Sequence, residues 1–119
     1  MSNPKATMTV RPIDPQITII EIQGELSGEA ETALMDAYNQ ATKDGSQAII
    51  LDFSPLEYMN SSGIGLLVTL LIRINRQKQQ LLAVGLNDHY RRIFELTRLN
   101  EAIKIYGNEA DAVWAAKAR

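Results

Sequence analysis

Two adjacent hydroxyl side chains, Ser61 and Ser62, stand directly before Gly63-Ile64-Gly65 and an apolar stretch with helical spacing. At a helix N-terminus the first backbone N–H groups have no intrahelical partner, and the end of the helix carries a partial positive charge. A phosphate placed on a serine there gains hydrogen bonds without nearby arginines. It also adds about -1.5 to -2 of charge at neutral pH, enough to repel a partner that binds across the loop. Serines in this position also serve as plain helix caps, worth roughly 1 kcal/mol. The residue types and spacing are compatible with both roles.

Other chemistry is poorly supplied. The chain has no cysteine and one histidine. That removes disulfides, thiol nucleophiles, iron–sulfur clusters and cysteine-based zinc sites. His89 lies at a helix start, away from any candidate nucleophile, so no Ser-His-Asp triad can be assembled around Ser61 or Ser62. Gly63-Ile64-Gly65 lacks the third glycine of a dinucleotide fingerprint, and no Gly-Lys-Ser or Gly-Lys-Thr follows it. Asp52 and Glu57 flank a turn at no recognisable acid–base spacing. No cofactor is expected.

The elements around Ser61 follow from periodicity. Thr7 to Ile13 and Gln16 to Gln23 are rich in Val, Ile and Thr and flank Asp14-Pro15, which predicts an opening hairpin after a frayed tail over residues 1–6. Residues 28–43 are predicted as a helix, with Ser27 as cap and Leu34, Met35 and Tyr38 as its apolar stripe. The nearly continuous apolar run from Ala48 to Phe53 predicts a strand buried on both faces. Ser54-Pro55 breaks it, and the next helix begins near Ser61 or Ser62, with Ile64, Leu67, Val68, Leu71 and Ile74 toward the sheet. Leu81 to Leu86 is a strand. Tyr90, Ile93, Phe94 and Thr97 mark a third helix. Ile103 to Tyr106 is a last strand, and Glu109 to Lys117 a closing helix anchored by Val113 and Trp114. The order β-β-α-β-α-β-α-β-α predicts a single α/β domain over residues 7–119, with a mixed central sheet and about four helices.

Composition agrees with one domain: 119 residues, 45% hydrophobic and 22% charged. A formal net charge of -2 offers no electrostatic footprint for nucleic acid. Residues 1–60 hold three basic and nine acidic groups, and residues 61–119 nine and five. Arg73, Arg76, Lys78, Arg91 and Arg92 would form a basic face if folding brought them together; scattered solvated charge is the plainer expectation. The opening Met-Ser-Asn-Pro-Lys lacks the features of a secretory signal, and the longest apolar run, Ile64 to Ile72, is too short to span a bilayer. A cytoplasmic location without membrane insertion is expected.

The segment Met59-Asn60-Ser61-Ser62-Gly63-Ile64-Gly65 resembles the phosphorylation-site signature of STAS domains, in particular the small stand-alone anti-sigma factor antagonists of bacteria. Gly24-Glu25-Leu26 resembles the family's Gly-x-Leu ending of the second strand, and Arg92 to Leu99 its third-helix pattern, so the resemblance covers nearly the whole chain. It implies a STAS-like fold and a protein that is not an enzyme. It implies that Ser61 is the acceptor for a serine kinase that is itself the anti-sigma factor, and that a serine phosphatase reverses the modification. It places the partner-binding edge on Gly24, Ser27, Tyr58, Met59, Asn60, Ser62 and Gly63, with Met59 as an exposed apolar anchor or, equally, as core filling. Two positions depart from the family pattern: Asn60 and Ser27 stand where the family usually carries Asp. The family also contains transport and sensory subunits, so a non-switching scaffold is the alternative expectation.

Overall fold

The structure, a computed structural model, describes residues 6–118. Strands β1 (Thr7–Asp14) and β2 (Ile17–Leu26) form the expected hairpin, paired antiparallel. Its turn is held by the Asp14 carboxylate, whose Oδ1 accepts from the amides of Gln16 and Ile17 at 2.7 and 3.0 Å. That is the local bonding that suits Asp to turns. Then follow a 3-10 turn (Gly28–Ala30), α1 (Glu31–Thr42), β3 (Ala48–Asp52), β4 (Leu56–Met59) and α2 (Ser61–Arg76). The chain closes with β5 (Gln80–Val84), α3 (Asp88–Leu96), a short 3-10 turn, β6 (Lys104–Tyr106) and α4 (Glu109–Lys117).

The sheet runs β1-β2-β3-β5-β6, with every contact after the first hairpin parallel. Alternation along the central strands sends Ile20, Ile22, Ile49, Leu51, Leu81 and Ala83 into a core shared with α1, α2 and α3. It sends Ile17, Ile19, Ala48, Ile50, Leu82 and Val84 to the opposite face, under α4. Both faces are covered, which is why β3 reads as an unbroken apolar run.

The structure corrects the sequence reading at four places. Residues 56–59 form an additional strand, β4, so the order is β-β-α-β-β-α-β-α-β-α. Its four residues are too few to show a period, and they pair only with the last residues of β2, Gly24 to Leu26. The first helix opens as a 3-10 turn and becomes α-helical only at Glu31. In α2 the buried set is Gly63, Leu66, Leu67, Leu70 and Ile74, with the expected Ile64 and Leu71 partly buried against the same core, while Val68 is 40% exposed. Because α2 is apolar almost all round, periodicity did not single out its inner face. Trp114 is not an anchor of α4: it is 73% exposed, and Ala112 and Ala116 face the sheet instead. Their four-residue spacing puts two small side chains on one face and lets the helix lie close to the strands. Residues 1–5 of the expected tail lie outside the described residues, and Ala6 is buried.

Candidate functional site

Ser61 and Ser62 are the first two residues of α2, and both are exposed. Neither is the cap. Asn60 holds that position in extended backbone (φ -98°, ψ -178°), and its side-chain Oδ1 accepts from the amide of Gly63 at 2.9 Å. The Asn60 carbonyl accepts the first helical bond, from Ile64 at 3.1 Å. Capping is thus done by the amide side chain, and the two serine hydroxyls stand at the open first turn, beside amides that have no intrahelical partner.

The start of α2 is fixed to the end of β2. Leu26 pairs in register with Met59, and the Leu26 carbonyl accepts from the Asn60 amide at 3.2 Å. A Cβ on Gly63 would overlap that same carbonyl oxygen, so only glycine allows the helix to begin here. Gly24 has φ 92°, a conformation that L side chains rarely adopt, at the bulge where β2 passes from its pairing with β3 to its pairing with β4. Its amide donates to the Pro55 carbonyl at 3.3 Å.

On the other side of β4, the amide of Met59 donates to the Tyr90 hydroxyl of α3 at 2.9 Å, a buried bond. β4 is therefore tied to both β2 and α3. Met59 is 3% exposed and belongs to the core, so it is no exposed anchor; Tyr58, one residue earlier on the pleat, is 53% exposed. Ser27 is half-buried and caps the 3-10 turn through its carbonyl, which accepts from Ala30 at 2.9 Å, while its side chain makes no cap bond. Gly28 lies against Ser62: a Cβ on it would stand 3.4 Å from the Ser62 Cβ. Gly24, Ser27, Tyr58, Asn60, Ser61, Ser62 and Gly63 are thus gathered at one end of the sheet. Sequence reading missed the roles of Leu26 and Tyr90, because a backbone carbonyl and a tyrosine 31 residues away leave no local signal.

The remaining candidates are not brought to this site as chemistry. His89 is exposed and packs edge-on against Tyr90, ring centroids 4.9 Å apart. Asp52 serves the turn after β3, its Oδ1 accepting from Ser54 N at 2.9 Å. Among the described residues no group of His, Asp and Glu could hold a metal ion, and no helix is long and apolar enough to cross a membrane. The five basic residues do not form one face: Arg73, Arg76 and Lys78 lie at the end of α2 remote from Ser61, and Arg91 and Arg92 on α3.

A parallel-centred α/β domain with three helices on one face, one on the other, and a glycine-fixed helix start beside the second strand is STAS-like in class. A family model for the STAS domain matches residues 9–112, and the chain belongs to that family. It is 28% identical over 86 residues to an anti-sigma-B factor antagonist of Staphylococcus aureus, spanning 72% of this chain and 80% of that one. Its fold is similar to an anti-sigma factor antagonist from Mycobacterium paratuberculosis (TM-score 0.80, 24% identity, 98% of this chain and 99% of that one). It is also similar to the Bacillus cell fate determinant SpoIIAA in its phosphorylated form (TM-score 0.71, 19% identity, 95% and 100% of the two chains).

Proposed function

We propose that this chain is an anti-sigma factor antagonist: a cytoplasmic, non-enzymatic binding protein that docks a serine-kinase anti-sigma factor and is switched off by phosphorylation of Ser61. The observation that carries this reading is the division of labour at the start of α2. Asn60 caps the helix, which leaves the exposed Ser61 hydroxyl without a structural duty. The docking edge consists of the end of β2 from Gly24 to Ser27, the exposed Tyr58, and Asn60 to Gly63. Phosphate on Ser61 puts about -1.5 to -2 of charge in the middle of that edge, and the amides at the start of α2 hold it in place. With Asn60 in place of a carboxylate, the phosphate meets no like charge at the cap. A serine phosphatase restores the binding form. Similarity to the staphylococcal antagonist supports the partner class.

The test is affinity capture from the native cell's lysate with wild-type protein and Ser61→Glu as paired baits, with bound proteins identified by mass spectrometry. The expected result is a serine-kinase-like protein retained by wild type and lost with Ser61→Glu. Retention of the same proteins by both baits would overturn the switch and favour a constitutive scaffold.

A further inference from the structure

The opposite end of the sheet from Ser61 carries a second feature. A cleft of about 520 Å³ opens between the last turns of α1 and α2 and the segments leading into β3 and β5. Its lining includes Arg73 and Arg76, and no carboxylate. Three other clefts that contain cations contain carboxylates as well: Lys78 and Lys117 with Asp14, Lys43 with Asp14 and Asp44, and Arg91 and Arg92 with Asp88 and Glu95. Nor is either arginine ion-paired among the described residues, whereas Arg11, Arg98 and Lys117 all are.

The floor of the cleft is set in place. The Tyr38 hydroxyl donates to Gln79 Oε1 at 2.6 Å, and Gln79 Nε2 donates to the Ser46 carbonyl at 2.8 Å. Burial holds the Tyr38 hydroxyl above its usual range, against the opposing pull of the nearby Arg73 guanidinium. Gln77 and Gln79 line this cleft, while Lys78 between them lines the neighbouring one. The wall therefore offers two forked guanidinium groups, three residues apart on one helix face, beside neutral amides and hydroxyls.

We infer that this cleft is a receptor for a small anion of the phosphate or phosphomonoester class, held by Arg73 and Arg76. Two guanidinium forks match the oxygen geometry of such a group, and the absence of a lining carboxylate leaves them available to it. The carbonyl ends of α1 and α2 lie nearby and oppose an anion, so both arginines are needed to reverse the local sign. The site lies about 18–22 Å along α2 from Ser61, at 1.5 Å per residue, and does not depend on the role of that serine.

The test is a titration of the whole chain with sodium phosphate, followed by amide NMR at constant ionic strength, in wild type and in the Arg73→Gln/Arg76→Gln double variant. Both arginines are exposed, so the double variant is expected to keep the wild-type spectrum elsewhere. The expected result is saturable shifts at Gly45, Ser46, Gln47, Gln77 and Gln79, with an apparent Kd at or below about 1 mM, weakened at least about tenfold in the double variant. Non-saturating shifts, or equal affinity in the two proteins, would overturn the inference. So would shifts confined to the Ser61 end of α2. The two arginines would then only compensate the helix dipole.

Discussion

The carbonyl oxygen of Leu26 occupies the space that a Cβ on Gly63 would need. The same carbonyl accepts from Asn60, so it cannot move aside without loosening the cap of α2. Gly63→Ala is therefore expected to cost at least about 2 kcal/mol, by forcing α2 off the end of β2. Gly65, two residues on, faces open space inside the same helix, and Gly65→Ala should stabilise by about 0.5–1 kcal/mol. Urea unfolding of the two variants checks the pair. Changes of similar size and sign would show that helix propensity, not the Leu26 contact, governs this turn.

Because Asn60 and not a serine caps α2, stability at this turn separates from the chemistry of Ser61. Asn60→Ala should lower the unfolding free energy by about 1 kcal/mol, and Asn60→Asp should leave it nearly unchanged. Ser61→Ala, at an exposed position, should fall within about 0.5 kcal/mol of wild type. Denaturant midpoints for the three variants measure this. A Ser61→Ala loss as large as that of Asn60→Ala would mean that the serine shares the capping after all.

Much of this arrangement was legible in the residues, for identifiable reasons. Strand β3, buried on both faces, announces itself as an apolar run, and Asp14-Pro15 carries its turn chemistry in its side chains. The apolar spacing locates the start of α2, but it leaves Ser61 and Ser62 open as caps or as modification sites because Ser, Asn and Asp are interchangeable at a cap. Only the Asn60 Oδ1 contact with Gly63 decides between them. β4 was lost because its strand character comes from pairing with Leu26, a tertiary effect that no four-residue window contains. Trp114 fails for the opposite reason: size suggests burial, yet α4 meets the sheet through the small Ala112 and Ala116, with Val113 partly buried beside them, and the indole faces solvent.

The end of α2 carries a residue in a costly conformation. Lys78 sits just past the C-cap Gln77 with φ 58°, its amide donating to Asn75 at 3.1 Å and that of Gln79 to Ile74 at 3.0 Å. This is the left-handed helix stop in which glycine is usual. An L side chain pays about 1–2 kcal/mol there, partly offset by the greater freedom of glycine in the unfolded chain. Lys78→Gly should therefore stabilise by about 0.5–1 kcal/mol, and Lys78→Ala, which keeps the Cβ, should not. Equal midpoints for Gly and Ala in urea would contradict the backbone account.

Arg11 on β1 joins Glu21 of β2 to Glu109 at the start of α4, with Nη2 at 3.1 Å from Glu21 and 2.9 Å from Glu109, and Nη1 at 3.2 Å from Glu109. The hydrogen bond from Arg11 holds the Glu109 carboxyl below its usual range of about 4.5, against a smaller opposing effect of burial. A carboxylate lowered in the folded state contributes stability above its unfolded pKa, and loses that contribution as pH falls through its folded value. Wild type should thus be more stable than Glu109→Gln at neutral pH, and the difference should close in acid, below the usual carboxylate range. The Glu109 side chain is 42% exposed, so solvent screening limits the difference to about 1 kcal/mol or less. Paired urea titrations at neutral and acid pH, repeated in 1 M salt to screen the pair, measure it. A gap that persists unchanged in acid would assign the role of Glu109 to packing at the start of α4, not to its charge.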